Sequence, residues 1–228
     1  MDNNVFYKTN IPLEELENIN EMFFRQVQMK EERALKRFGK QYEETRNLIF
    51  SNVKAEGIYT ISEIEKNENH EIHLKNGIVI ANRMLSELFA RSSEVTACAV
   101  TLHGYDELED ASDDNLITLF LDGWGTAVVE CAHIWLKKRI KDGFAEKDLY
   151  ATSSWSPGQH NIDVKFQKEL FEMLRPEAIG ITLTESFMMH PKKSVSSFIG
   201  GGDDKDAESI RACDFCELRE KCPSAYAS

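Results

Sequence analysis

Hydrophobic positions recur at helical spacing from Pro12 to about Asn52: Leu13, Leu16, Ile19, Met22, Phe23, Val27, Leu35, Phe38, Tyr42, Leu48 and Ile49. Thr9 or Asn10 suits the cap of this stretch and Pro12 its first turn. Lys30 to Lys40 is highly charged and Gly39 weakens the middle, so the pattern fits one long amphipathic helix or two consecutive ones lying on the body. The period then changes. Ile58-Tyr59-Thr60-Ile61 is apolar and β-branched, Glu71-Ile72-His73-Leu74 alternates, and Ile78-Val79-Ile80 follows Asn76-Gly77, a tight-hairpin dipeptide. Ala81 to Arg91 predicts a helix with Met84, Leu85, Leu88 and Phe89 on one face. Glu94 to Leu102 predicts a strand, buried near its end.

Gly104 to Asp114 predicts an acidic loop. Leu116 to Lys141 gives the strongest helix, apolar almost all round and so central and buried, with Lys137-Lys138-Arg139 at its negative dipole end. Gly123 and Gly125 inside it predict close packing against a neighbour. Phe144 to Ser156 predicts a loop with some strand character, Asp163 to Leu174 a helix stopped before Pro176, and Ile179 to Leu183 a strand. Pro191 to Gly202 predicts a loop with a short strand at Val195 to Ile199, and Gly200-Gly201-Gly202-Asp203-Asp204 a hinge. Helices and strands neither alternate strictly nor repeat, so the fold class is α+β. The expected division is a helical segment over 1–52, a core over 53–202 and a cysteine-rich, metal-binding tail over 203–228.

Composition narrows the function. The 228 residues suit one large domain or one domain with an appendage. Lys and Arg total 27 against 39 Asp and Glu, a net charge of −12, which argues against a nucleic-acid binder held by a basic face and against electrostatic docking on anionic lipid, a local patch aside. The most apolar stretch, Leu116 to Leu136, is broken by Asp122 and Glu130, and Met1-Asp2-Asn3-Asn4 lacks the marks of a signal peptide. The expectation is a cytoplasmic protein without a membrane span. The five cysteines, an odd number crowded towards the C-terminus, point to metal or redox chemistry rather than a disulfide framework.

Cys213-x-x-Cys216-x5-Cys222 is the sharpest local motif. Two thiolates reach one centre from a single turn and a third closes the clamp; soft ligands of this kind select zinc or an iron–sulfur cluster. Both want a fourth ligand, from Cys98, Cys131, His190 or outside the chain. Cys98 and Cys131 otherwise read as small core residues, and the tail also fits reduced thiols without metal. The same spacing resembles the 4Fe–4S ligands of nucleases related to the CRISPR-associated exonucleases, over ten residues and for the cluster alone.

A second constellation is Ser154-Trp155-Ser156-Pro157-Gly158-Gln159-His160, read as an exposed loop with a Pro-Gly turn. It precedes Leu183-Thr184-Glu185-Ser186-Phe187-Met188-Met189, where polar side chains project from the end of a buried strand, as ligand sites often do. The plain alternative there is a turn and a helix cap, with Ser186 capping and Met188-Met189 in the core. His103 reads as a surface histidine, His133 as a satisfied core histidine near Glu130, and Asp113-Asp114 as a solvated turn. A phosphate-cradling glycine loop and a nucleophile elbow are both missing. The absence of a glycine-rich loop after the first strand argues against an ordinary S-adenosylmethionine methyltransferase.

Ser156-Pro157-Gly158, then Ile179-Gly180-Ile181-Thr182-Leu183-Thr184-Glu185-Ser186-Phe187-Met188-Met189, then Pro191 and Ser194-Val195-Ser196-Ser197-Phe198 resemble the activation (reactivation) domain of vitamin B12-dependent methionine synthase. The likeness is specific over Thr152 to Ile199 and looser from Ile58, taking in Asp122 to Glu130. It implies an α+β, C-shaped domain with a mixed sheet and packed helices. Such a domain binds S-adenosylmethionine in a shallow groove and caps the cobalamin domain while cob(II)alamin is reduced and methylated. Folate, homocysteine and cobalamin domains are lacking, so the chain resembles stand-alone homologues that work on a separate corrinoid-binding protein or methionine synthase subunits. The resemblance assigns the groove to Asp148, Ser154, Ser156, Gly158, Gln159, Glu185 and Ser186, and leaves the metal to Cys213, Cys216 and Cys222. Ser154 stands where the family has the arginine that holds the ligand carboxylate, which removes a bidentate charge-assisted bond. Gln159 replaces the family tyrosine, and Asp148 corresponds to an acidic residue six positions before that arginine. Two roles follow: a reductive activator with the tail cluster as electron relay, or a non-redox partner with zinc or no metal.

Overall fold

A computed structural model describes residues 5–159, 161–215 and 219–222. Among these residues nine strands form a main sheet and a small hairpin. In chain order they are β1 (Phe6–Ile11), β2 (Lys54–Glu68), β3 (Glu71–Leu74), β4 (Val79–Ala81), β5 (Ser92–His103), β6 (Tyr150–Ala151), β7 (Thr182–Leu183), β8 (Met189–His190) and β9 (Ser194–Gly202). The main sheet has the order β4-β3-β2-β5-β9-β6, with β1 beside the first half of β2, and β7 pairs with β8 alone. Every described pairing is antiparallel. Six helices accompany them: α1 (Ile19–Gln26), α2 (Glu31–Asn52), α3 (Arg83–Leu88), α4 (Tyr105–Asp110), α5 (Asn115–Ala145) and α6 (Gln167–Leu174).

The strand alternation divides the core into two layers. Cys98, Val100 and Leu102 of β5 face α5, together with Ile199 of β9. Val95, Ala97 and Ala99 face the opposite layer with Phe198, Leu170 of α6 and Phe89. On the α5 side, α1 and α2 cover the helix, and Phe23 stacks on Trp124 with ring centroids 4.3 Å apart. Gly123 makes this approach possible, because a Cβ there would meet Val27 and Phe23. Asp114 caps α5, accepting hydrogen bonds from the amides of Leu116 (2.8 Å) and Ile117 (3.2 Å).

The N-terminal pattern resolves into two consecutive helices, the second kinked at Phe38 (φ −130°, ψ 22°) beside Gly39. The expected hairpin around Asn76-Gly77 pairs Glu71 with Ala81. The strand expected over Glu94 to Leu102 is β5. β1 precedes the helical stretch and escapes the period analysis.

Four expectations are corrected. The acidic loop over Gly104 to Asp114 contains α4, which forms because Tyr105 is buried and its hydroxyl donates to Glu109 at 2.9 Å. The strand over Ile179 to Leu183 shrinks to Thr182–Leu183, since Pro176–Ile179 is a 3-10 turn ended by Gly180 at φ 77°. The short strand at Val195 to Ile199 is the nine-residue β9, and the hinge glycines belong to it: Gly200 pairs with Val95, Gly201 with Glu94 and Gly202 with Ser92. Their missing side chains admit neighbours rather than motion. A Cβ on Gly201 would strike the Phe144 ring and one on Gly202 the backbone of Arg91.

Candidate functional site

One face of α5 is polar along the edge of β9: Asp122, Thr126, Glu130, His133, Lys137 and Lys141 recur every three or four residues. Lys193, at the start of β9, donates to Asp122 at 2.6 Å and to Thr126 at 2.8 Å. His133 Nε2 lies 2.9 Å from Ser197 Oγ, and Cys98 Sγ lies 3.2 Å from that same hydroxyl. Lys137 Nζ donates to Ser154 Oγ at 3.3 Å. Lys141 pairs with Glu208.

Ser154 reaches this face because the chain before it runs extended along β9. Thr152 donates its amide to Gly200 at 2.8 Å, and Trp155 and Phe198 exchange backbone hydrogen bonds at 2.9 and 2.8 Å. Extended backbone alternates its side chains, so Trp155 enters the α6 layer and Ser154 turns to α5. The expected exposed tryptophan is thus corrected: Trp155 is fully buried, because its ring fills the core beside Phe198. The turn after it needs glycine. Gly158 sits at φ 82° and donates to Ile162 at 2.8 Å, while Gln159 donates to Ser156 at 3.1 Å.

Burial sets the electrostatics here. It pushes the Glu130 carboxyl up and the Lys137 ammonium down, and Glu130 acts against the latter shift. It holds His133 well below the usual imidazole range, so that histidine is neutral. The Cys98 thiol is pushed up to about 11 and that of Cys131 to about 12; both are buried core residues.

The site residues expected from the sequence are scattered. Ser154 is half-buried against Lys137, Ser156 is buried behind it, and Gly158 and Gln159 are exposed in the turn. His160 lies outside the described residues. Asp148 is exposed, in a left-handed turn (φ 56°) after α5. Glu185 and Ser186 are exposed at the tip of the β7–β8 hairpin, and Ser186 bonds Thr184 at 3.0 Å. Among the described residues no hydrogen bond or ion pair joins that tip to the Ser154 turn. Ser186 caps no helix, and Met188 is 59% exposed rather than in the core, because a two-strand hairpin stands there. His103 pairs with Glu56 at 3.2 Å, and His190 is exposed beside Asp106.

The tail begins against the same face of α5. Arg91 holds Asp203 and Asp204 at 3.1 and 3.4 Å, and Ser153 donates to the Glu208 carbonyl at 3.5 Å. Cys213, half-buried on the short turn Ala212–Phe215, lies within electrostatic reach of Lys137. Cys222 is exposed and Cys216 lies outside the described residues. Among the described residues no three His, Cys, Asp or Glu side chains are grouped to hold a metal ion.

Sequence reasoning missed Lys137, read only as one of three cations at a helix end, and Glu130, read only as a break in an apolar run. The available signal was their spacing: seven residues apart, they share one helix face. Two clefts, of about 800 and 930 Å³, lie elsewhere, beside Arg175 and beside Trp135. Among the described residues no helix is long and apolar enough to cross a membrane.

Residues 95–210 match the family described as vitamin B12 dependent methionine synthase, activation domain. Among solved structures, the fold is similar to that described as the MetH reactivation domain bound to AdoHcy. That likeness has a TM-score of 0.68 at 17% identity and covers 88% of this chain and 79% of the other. No curated protein matches the chain.

Proposed function

The chain belongs to the activation domain family of vitamin B12-dependent methionine synthase, and from that premise we propose that it docks on a separate cobalamin-binding protein and supports its reductive activation. The observation that carries the reading is the family match over residues 95–210, supported by a fold shared with a MetH reactivation domain.

The similar structure holds S-adenosylhomocysteine, and a ligand of that class suits the turn at Ser154 in this chain. The residues present fit it. Lys137 brings an ammonium and Ser154 a hydroxyl to one point, and Gly158 and Gln159 are exposed a few residues further along the chain. S-adenosylmethionine, when bound, supplies a methyl group from its sulfonium and is left as S-adenosylhomocysteine. The chain's own part is to bind and orient. The backbone ladder between 152–155 and β9 fixes Ser154, and α5 fixes Lys137. Glu185 and Ser186, at the hairpin tip, are assigned to the rim that meets the partner or the ligand's far end.

Cys213, Cys216 and Cys222 are assigned to a 4Fe–4S cluster, which would supply one-electron chemistry beside the Ser154 turn. The position of Cys213 near Lys137 supports this placement. Cys98 and Cys131 are buried with raised thiols, so the fourth ligand is assigned outside the core. The presence of only three close thiols favours a second reading, a non-redox assembly partner with structural zinc or no metal.

Anaerobic purification with a visible spectrum and iron, sulfide and zinc analysis separates the two. Absorbance that bleaches on reduction and is lost in Cys213→Ala supports the relay. A colourless protein with stoichiometric zinc, or without metal after reconstitution, overturns the relay and leaves the docking role.

A further inference from the structure

We infer that Lys137 is the specificity-determining residue of the Ser154 site and selects ligands that carry a free carboxylate. The inference rests on the ligand class proposed above and assigns its recognition to a helix residue.

Among the described residues the polar face of α5 meets three ammonium groups, and one of them lacks a carboxylate. Lys193 meets Asp122 at 2.6 Å, and Lys141 meets Glu208. Lys137 lies between them, half-buried, with no carboxylate within 4.0 Å among the described residues. Among the described residues its one hydrogen bond runs to a neutral hydroxyl, Ser154 Oγ, at 3.3 Å. An ammonium has three donors, and the described residues use one of them. Partly desolvated charge without an opposite partner is costly, and a site that keeps it gains when a ligand brings the missing anion. Glu130, seven residues earlier on the same face, acts on Lys137 only at a distance. Ser154 and Lys137 are each only partly buried, and the turn at Gly158 and Gln159, four and five residues beyond Ser154, is exposed to solvent.

Cys213 offers a competing partner, within electrostatic reach of the same ammonium. If that thiolate were the intended partner, a small-molecule carboxylate would gain nothing from Lys137.

Calorimetric titration of the full chain with two probes decides the matter. S-adenosylhomocysteine carries the carboxylate; 5′-methylthioadenosine keeps the adenosyl thioether and lacks the amino-acid end. Lys137→Met is expected to weaken S-adenosylhomocysteine by roughly ten- to a hundredfold, the range of one charge-assisted hydrogen bond. It should leave 5′-methylthioadenosine within about twofold, and Lys137→Arg should retain most of the binding. A Lys137→Met protein that binds S-adenosylhomocysteine as wild type does overturns the inference and leaves the proposed ligand class standing. Equal losses for both probes also overturn it, since the lysine then acts through the fold. A wild-type chain that binds neither probe overturns the ligand class and the inference with it.

Discussion

Nε2 of His133 on α5 lies 2.9 Å from Oγ of Ser197 on β9, and both side chains are sealed in the core beneath the helix. With Cys98 at 3.2 Å from the same hydroxyl, they form a polar knot that fixes α5 over β9, and so sets the distance from Lys137 to Ser154. Because burial holds His133 neutral in the folded protein, unfolding lets it take a proton below its ordinary pKa of about 6.5. Its folded pKa is depressed, so its contribution is complete above about pH 6.5 and is lost as the pH falls below that value. Urea unfolding midpoints are expected to drop between about pH 7.5 and 5.5, and His133→Gln should flatten that drop while costing about 1 kcal/mol at neutral pH. A variant with an unchanged acid slope contradicts the assignment.

The glycines of β9 and of α2 should respond in opposite directions. Gly201→Ala places a methyl against the buried Phe144 ring, and is expected to cost about 1–3 kcal/mol. Gly39→Ala, in α2 with open space around the new atom, is expected to gain about 0.5–1 kcal/mol. Thermal melts of the two variants check both signs. A Gly201→Ala protein as stable as wild type would restore the hinge reading of that segment.

The thiols should divide by burial. In the metal-free folded protein Cys98 and Cys131, with thiols pushed up to about 11 and 12, are expected to resist alkylation at pH 8, whereas Cys222 reacts readily. Glu208→Lys replaces the Lys141 ion pair with repulsion and should raise the alkylation rate of Cys213 by roughly two- to fivefold, the scale of one exposed pair. Peptide mapping by mass spectrometry reads each cysteine separately. Unaltered Cys213 labelling in Glu208→Lys would show that the tail docks by other contacts.

The sequence carried the fold where hydrophobic periodicity was strong. α5, β5 and the Asn76-Gly77 hairpin follow from their residues alone. It failed where burial is shared with polar side chains. β9 reads as a loop with only a short strand at Val195 to Ile199 because Ser194, Ser196 and Ser197 interrupt its alternation, yet Ser196 is satisfied by Gln167 at 2.9 Å and Ser197 by His133. The three glycines beside them look like a hinge until the rings of Phe89 and Phe144 are seen to occupy their missing side chains. The proposed site is legible in the sequence on its loop side, through Ser154 and the Pro-Gly turn. It was illegible on the helix side: a charged residue in an apolar helix reads as a solvated end until a tertiary partner, here Ser154, brings it into a site.

The central claim is that the chain supports reductive activation of a corrinoid partner. The direct measurement loads the cobalamin-binding module of a B12-dependent methionine synthase with cob(II)alamin. A low-potential reductant and S-adenosylmethionine are added, and methylcobalamin formation is followed by its visible spectrum with and without this chain. Methylation that depends on the chain, saturates with its concentration and needs S-adenosylmethionine is the expected result. Methylation at the same rate with the chain left out contradicts the account.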